Sequence, residues 1–145
     1  MKAVTCLCCE AIIRDGDSGS ISLINIIEDI TLQGVPAFLP RFAVFLLSEK
    51  QDGDLGSNPI RLVILNNEQE LVNSDLTVDF GMEDVGSRNR TNIRFAGFLV
   101  PNAGDLKIRF LRGDSIYTEY NIRVRVTPVS QTTSAPVPAS ATSSS

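Results

Sequence analysis

The densest cluster of chemically capable side chains lies near the start of the chain, where Cys6, Cys8 and Cys9 precede Glu10. Thiolates bind soft metal ions and attack disulfides, so such a cluster could hold a metal or serve a redox role. The chain has no histidine and no fourth cysteine to complete a tetrahedral site. On a strand, Cys9 would also point away from Cys6 and Cys8. We therefore predict buried apolar cysteines, with no metal and no cofactor.

Glu10 lies among apolar neighbours and would share a strand face with Cys8 and Ile12. A buried carboxylate needs a partner, and a raised pKa at such a group is common in functional sites. The sequence favours a structural ion pair or a position at the end of a sheet, with an arginine such as Arg94 as the partner. A functional carboxylate at Glu10 stays open as the alternative.

The absence of histidine also limits catalysis. It removes the commonest general base and every Ser/His or Cys/His nucleophile pair, so triad chemistry is excluded. A carboxylate-based enzyme acting on sugars stays open as an alternative, although no acidic pair in the sequence is distinguished as its site. We therefore predict a protein that is not an enzyme.

Five basic residues form a second candidate site. Lys107, Arg109, Arg123 and Arg125 project from one face of the last hairpin, and Arg94 could join them from a neighbouring strand. Such a stripe could contact an anionic partner. A solvated outer face, partly neutralised by Glu119, is the simpler interpretation, because stacking aromatics are not interleaved with the charges.

Three turns carry suggestive side chains. Asp15-Gly16-Asp17 and Asp52-Gly53-Asp54 could supply carboxylates to calcium. Neither has the full ligand spacing of a known calcium loop, and Asp and Gly are ordinary turn residues. Arg112-Gly113-Asp114 spells the integrin-binding tripeptide, but a string of this length often arises by chance. We interpret all three as turns.

The last ordered segment, residues 104–127, sets the fold class. Apolar and polar residues alternate through two strands joined by a turn at Arg112-Gly113-Asp114-Ser115. A plain two-residue loop would pair Phe110 with Tyr117, one facing the core and the other facing water. We therefore expect a three- or five-residue loop, or a bulge beside the glycine. Glu119 would then lie opposite Lys107 or Arg109 as an ion pair.

The rest of the chain reads as short strands separated by polar turns. The strand at residues 3–14 is apolar on both faces, which is typical of a strand buried from both sides. Residues 21–33 change phase midway and indicate two strand pieces joined by a kink. Polar loops are expected at residues 49–59 and 81–90, and a strand at 91–100. Residues 128–145 lack charge and aromatics and are expected to form a disordered Ser/Thr/Pro/Ala-rich tail.

The length and net charge of the chain limit the number of domains and the classes of partner. The chain has 145 residues and a formal charge of −4, which fits one domain and argues against a general nucleic-acid binder. The apolar N-terminus is short, is interrupted by Glu10 and lacks a cleavage site, so we expect neither secretion nor membrane insertion, and a cytoplasmic location. We predict a domain at residues 1–127 that is a single antiparallel β-sandwich, immunoglobulin-like, with roughly seven to nine strands.

Several segments resemble one known family. They are Cys9-Glu10, SLINIIEDI (22–30), FLPRFAVFLL (38–47), RTNIRFAGFLVPNAGDLKIRF (90–110) and the final alternating strand. The family comprises short uncharacterised bacterial proteins, catalogued as domain of unknown function number sixty-nine forty-one. The resemblance implies a β-sandwich with Cys9-Glu10 as its signature, and it implies no activity, substrate or cofactor.

For function, the sequence predicts a non-enzymatic binding or structural module with a protein partner. The exposed loops at residues 49–59 and 81–90, or a sheet edge, would carry the contacts. The alternative is a building block of a larger phage- or secretion-type assembly. Neither the partner nor the oligomeric state follows from the residues.

Overall fold

The alternation of apolar and polar residues forms eleven strands and no helix between residues 1 and 127. The structure, a computed structural model, describes these residues, and the tail expected at residues 128–145 lies outside them. The strands are β1 (Lys2–Arg14), β2 (Ile21–Ile26), β3 (Asp29–Leu32), β4 (Ala37–Leu39), β5 (Phe42–Glu49), β6 (Ser57–Asn66), β7 (Gln69–Asp79), β8 (Arg88–Phe95), β9 (Phe98–Val100), β10 (Gly104–Arg112) and β11 (Ser115–Val126).

The strands form two main sheets. Sheet A has four strands in the order β2-β1-β5-β8, and sheet B has five in the order β3-β11-β10-β6-β7. A short β4–β9 pair lies beyond the start of β5 and the end of β8. The count exceeds the predicted seven to nine because kinks divide longer runs. The predicted kink in residues 21–33 is confirmed, since it separates β2 in sheet A from β3 in sheet B.

The strand order is that of an immunoglobulin-like β-sandwich. β5 and β8 pair as strands B and E do, while β11-β10-β6-β7 follow the order G-F-C-C′ of a variable-type domain. The predicted fold class is confirmed, and one pairing departs from the antiparallel pattern of the other strands, because β3 pairs with β11 in parallel. That pairing is possible because the chain between the two strands passes through the whole body of the domain.

The main core lies between the two sheets. Sheet A contributes Phe42, Val44 and Leu46, and sheet B contributes residues such as Ile64 and Ile108, all of them at most 1% exposed. The Phe42 ring stacks on Phe98 with centroids 4.7 Å apart. Burying each such side chain stabilises the fold by about 1.5–3 kcal/mol. This core fixes the two sheets against each other without a disulfide, since all three cysteines are free.

The β10–β11 hairpin contains a bulge, which removes the mismatch between inward-facing and outward-facing residues that a plain two-residue loop would create. Arg112 pairs with Ser115 across a two-residue turn, and the register then shifts so that Phe110 pairs with Thr118. The predicted bulge is confirmed, but it lies beyond the turn and not beside Gly113. Ile116, beside the bulge, is therefore 56% exposed, while the Tyr117 hydroxyl turns inward and lies 3.1 Å from Ser48 Oγ. The predicted outward ion pair joins Arg109 to Glu119 at 2.7 Å.

The β1–β2 hairpin folds back over the outer face of sheet A. β1 pairs with β5 only as far as Cys9 opposite Ala43. Ile21, near the hairpin tip, nevertheless lines the same groove as Leu47, which pairs with Thr5 near the other end of β1. The hairpin must therefore reverse direction near Glu10. It covers a second cluster in which the buried members are Cys9, Ile12, Ala43 and Phe45.

A buried asparagine joins two turns at one end of sheet B. Asn66 is 0% exposed, and its amide nitrogen donates to the carbonyls of Asn102 and Asp105 at 3.1 and 3.2 Å. Its Oδ1 accepts from the Asn102 amide at 2.9 Å. The adjacent Gly104 has a φ of 123°, and a Cβ there would lie 2.1 Å from Asn67 Oδ1. Asn67 adds two side-chain hydrogen bonds, to the Ala103 carbonyl at 2.7 Å and from the Asp105 amide at 2.9 Å, so the two asparagines together hold the β9–β10 turn against the β6–β7 turn.

We expect Asn66→Ala to lower the free energy of unfolding by about 2–3 kcal/mol, because it removes the three hydrogen bonds that a fully buried amide makes to the β9–β10 turn. Urea unfolding at neutral pH measures the change. Asn73→Ala, at an exposed position of β7, is the control and should change stability by no more than about 0.5 kcal/mol. Equal losses in the two variants would contradict the proposed role of Asn66.

Candidate functional site

Cys9 and Glu10 form the corner at which the β1–β2 hairpin reverses. The Cys9 thiol donates to the Ala11 carbonyl with an S···O distance of 3.3 Å. Asn25, whose φ of 53° is left-handed, donates its side-chain amide to Glu10 Oε2 at 3.0 Å. The predicted ion pair of a buried Glu10 with Arg94 is wrong, because the strand bends at Glu10 and leaves it exposed. Glu10 instead lies where the pairing of β1 with β5 ends at Cys9, which agrees with the predicted alternative of a position at the end of a sheet. Both residues of the signature dipeptide thus form hydrogen bonds at this corner.

Two arginines of β8 hold the folded hairpin in place. Arg94 Nη2 donates to the Ile12 carbonyl at 2.8 Å, and Arg90 Nη1 donates to the Gly19 carbonyl at 3.1 Å. Arg94 therefore lies on sheet A and does not belong to the basic face of the closing hairpin in sheet B, which corrects that part of the predicted site. Both contacts are charge-assisted but leave the guanidinium charge without a carboxylate.

Cys8 and Cys9 are buried and Cys6 is half-buried, and burial raises the pKa of all three thiols. Burial raises the pKa of Cys6 to about 12 and raises the pKa of Cys8 further. Cys8 faces the main core and Cys9 the second cluster, so the prediction that they point apart is confirmed. A thiol whose pKa is raised in this way carries almost no thiolate at neutral pH, which makes it a poor nucleophile and metal ligand. Across residues 1–127, no group of three or more His, Cys, Asp or Glu is placed to hold a metal.

The basic residues of the closing hairpin are matched by acids. Lys107 lies 2.7 Å from Glu68, and the hydrogen bond and charge of that carboxylate raise the pKa of Lys107. Arg125 lies 3.9 Å from Asp29. Together with the Arg109–Glu119 pair, these contacts neutralise most of the face. Arg123 lies opposite Asp105 in the β10–β11 register, but within residues 1–127 it forms no ion pair. The geometry favours the solvated-face interpretation of this stripe over a binding face.

A second basic surface, whose charge is only partly balanced by acidic residues, lies on the opposite sheet. A groove of about 370 Å³ beside β8 is lined by Arg14, Arg88 and Arg90, with Ile21 and Leu47 among its apolar residues. Sequence reasoning missed it because residues 81–90 were assigned to a loop, whereas β8 begins at Arg88. The signal was available: Arg88, Arg90 and Arg94 occur at even spacing and therefore share one strand face.

The two predicted contact loops meet at one end of the sandwich. Lys50 N donates to the Ser87 carbonyl at 2.8 Å, and Phe80 N donates to the Gly56 carbonyl at 2.6 Å. Gly56 is needed at this contact, because a Cβ there would lie 2.5 Å from the Gly81 carbonyl oxygen. Three apolar side chains beside these contacts face solvent: Leu55 at 71%, Met82 at 101% and Val85 at 58% exposed. The strands begin slightly earlier than predicted, so the loops are residues 50–56 and 80–87.

Asp54 anchors the first of these loops. Its carboxylate accepts from the Gln51 amide at 2.7 Å, lies 2.9 Å from Arg112 Nη2 and pairs with the Met1 ammonium. Although burial opposes them, these hydrogen bonds lower the pKa of Asp54 to about 2. The carboxylate and the Arg112 guanidinium are thus engaged with each other, which argues against both the calcium and the integrin interpretations. Asp15 Oδ1 likewise accepts from Asp17 N, 2.9 Å away, within its own turn.

Comparison with known proteins gives a family and a distant structural likeness. A family model described as "Family of unknown function (DUF6941)" matches residues 4–125. An immunoglobulin-like protein from Pseudomonas aeruginosa, known from a crystal structure, is 15% identical with a TM-score of 0.37, over 81% of this chain and 91% of that one. No curated protein matches the chain. Within residues 1–127, no helix is long and apolar enough to cross a membrane.

The stability of the fold should depend on the protonation of Asp54. Because the pKa of Asp54 falls from its ordinary 3.8 to about 2 on folding, its contribution is present above pH 3.8 and is lost as the pH falls through about 2. The shift corresponds to roughly 2 kcal/mol. We expect Asp54→Asn to lower stability by that amount at neutral pH and to flatten the acid dependence.

Urea unfolding between about pH 7 and pH 2 tests this linkage. Asp52→Asn, a change at an exposed residue of the same loop, is the control and should leave both stability and its pH dependence nearly unchanged. A wild-type profile that the Asp54 variant reproduces in full would contradict the assignment.

Proposed function

The chain belongs to the family of unknown function DUF6941, as its resemblance predicted, and we propose that it serves as a non-enzymatic binding module in the bacterial cytosol. The surface that binds is the joined pair of loops at residues 50–56 and 80–87, termed here the loop surface. Its partner is a protein. The sandwich acts as the scaffold that holds the loops, which is the usual division of labour in this architecture.

The observation that carries this proposal is the grouping of exposed apolar side chains on a fixed backbone. Leu55 and Met82 each adjoin the contact between Gly56 and Gly81, and Val85 adjoins Gly86, which donates to the Lys50 carbonyl at 2.9 Å. Scattered exposed apolar residues are normal, but a group held together by backbone hydrogen bonds is typical of interaction sites. Because the loops are ordered before binding, little conformational entropy is lost on association.

Charge around the loop surface suggests the chemistry of the partner. Asp52, Glu83 and Asp84 are exposed beside the apolar side chains. The nearby Lys50 donates its ammonium to the Glu83 carbonyl at 2.7 Å and so points into the loops. An apolar centre with an acidic rim is complementary to a protein patch that has apolar residues surrounded by lysine or arginine.

A second candidate function, a building block of a larger assembly, is favoured by the edge of sheet A. β2 reads ISLINI and contains neither charge nor proline, the usual devices that keep an edge strand from pairing with another chain. Ile24 and Ile26 of this strand are 39% and 53% exposed. Purification of the native protein as a species of high mass would favour this function over the first.

We expect the double change Leu55→Glu and Met82→Glu to reduce capture of a native partner at least about tenfold, since apolar residues at the centre of an interface dominate binding. Quantitative mass spectrometry of proteins retained by the immobilised domain measures this loss. Melting temperature should stay unchanged, because both side chains face solvent.

The matched control is Leu99→Glu, at a residue that is 54% exposed and lies in β9, at the opposite end of sheet A. It should retain every partner. If the double variant also retains all partners, the loop surface is not the binding surface.

A further inference from the structure

β8 is an edge strand with an open side. In sheet A it pairs with β5 alone, and no other strand of residues 1–127 bonds to its second edge. Lys50 N donates to the Ser87 carbonyl, which fixes the phase of the antiparallel ladder. Because hydrogen-bonded and non-bonded pairs alternate, the backbone groups of Arg88, Arg90, Asn92 and Arg94 point to the open edge. The side chains of these four residues stand on the outer face.

The groove beside this edge has an apolar base and a basic rim. Ile21 and Leu47 contribute the apolar part, and Arg14 of the folded hairpin joins Arg88 and Arg90 of β8 in lining it. Side chains on one face of a strand recur every two residues, about 6.6 Å apart. Arg88 and Arg90 therefore present two cationic groups whose spacing matches that of alternate side chains on a neighbouring strand.

The positive charge of the groove is only partly balanced. Arg88 lies 3.3 Å from Glu49, whereas Arg90 donates to the neutral carbonyl of Gly19. Arg14 has no carboxylate within ion-pair distance in the described part of the chain. The protein as a whole carries a formal net charge of −4, so the groove is a locally positive surface on a negatively charged protein. On sheet B, by contrast, most of the basic side chains are matched.

We propose that β8 and its groove bind an extended acidic peptide segment of a partner protein. The peptide adds to the open edge through backbone hydrogen bonds with Arg90 and Asn92. Aspartate or glutamate at every second position meets Arg88, Arg90 and Arg14. Backbone pairing supplies affinity and the alternate side chains supply specificity, as in other cases of strand addition. This site is separate from the loop surface and does not depend on it.

A peptide fits the site better than other anions do. A free phosphate could accept hydrogen bonds from the guanidinium groups and from an edge amide, but it is too small to pair with the alternating amides and carbonyls of the edge. A nucleic acid would bring many charges toward an acidic protein, and the groove has no aromatic side chain on which bases could stack. The row of arginines with outward backbone groups is complementary to an acidic strand in both charge and hydrogen bonding.

The test uses the full chain and a fluorescein-labelled peptide of about eight residues, long enough for one strand, in which Glu and Thr alternate. Fluorescence anisotropy should show binding that weakens as salt increases. A peptide of the same composition with its glutamates in one block should bind at least about fivefold more weakly, because only alternation places the carboxylates on one face. Methylation of alternate peptide amides should weaken binding similarly.

The variant Arg14→Glu with Arg88→Glu should lose at least about tenfold in affinity, through removal and reversal of two charges. Arg90 and Arg94 are left intact because they hold the hairpin. The control Arg123→Glu makes the same kind of change on sheet B and should bind normally. Hydrogen exchange followed by NMR should show new protection at the Arg90 and Asn92 amides when the peptide is bound.

Three results would overturn the proposal. One is equal affinity for the alternating, block and methylated peptides, which would indicate general charge attraction. Another is complete displacement by inorganic phosphate at concentrations comparable to the peptide, which would indicate a small-anion site. The third is tighter binding of a single-stranded oligonucleotide than of the peptide. A negative result in these peptide-binding experiments would leave the loop-surface experiment unaffected, since Leu55 and Met82 lie outside the groove.

Discussion

The structure depends on sheet A being covered on both faces. Sheet B packs against one face, and the hairpin of β1 and β2 folds back over the other. A central strand in this position can present no polar face, so β1 carries Cys8 toward one apolar cluster and Cys9 toward the other. The corner at Glu10 and the contacts of Arg90 and Arg94 with hairpin carbonyls follow from this requirement. They hold a second layer that the sandwich alone does not need.

Features set by local periodicity were predictable from the sequence. The two-sided burial of β1, the bulge in the β10–β11 hairpin and the ion pair of Arg109 with Glu119 all follow from counting residues along one or two strands. The kink that sends β2 and β3 to different sheets showed as a change of phase. The parallel pairing of β3 with β11 could not be predicted, because it joins segments from opposite ends of the domain and leaves no local signal.

The candidate sites were harder to place than the strands, for two physical reasons. Acidic residues from other elements neutralise much of the predicted basic face: Glu68 of the β6–β7 turn and Asp29 of β3. No pattern within one strand reveals such partners. The basic groove was hidden by an error of boundary, since polar residues at the start of β8 resemble a loop until their even spacing is noticed. Edge strands are polar on their outer face for the same reason that loops are, namely contact with water.

The double covering of β1 also bears on how the chain is made. β10 and β11 can pair as soon as both have left the ribosome, because a two-residue turn joins them. β1 must wait for β5, since Cys9 finds Ala43 only after the intervening segments have emerged. A nascent strand with apolar side chains on both faces has no polar face to expose to water during that delay. Pairing with β2 covers only the second half of β1, from Cys9 to Arg14, so the first half stays without a neighbouring strand until β5 has been synthesised.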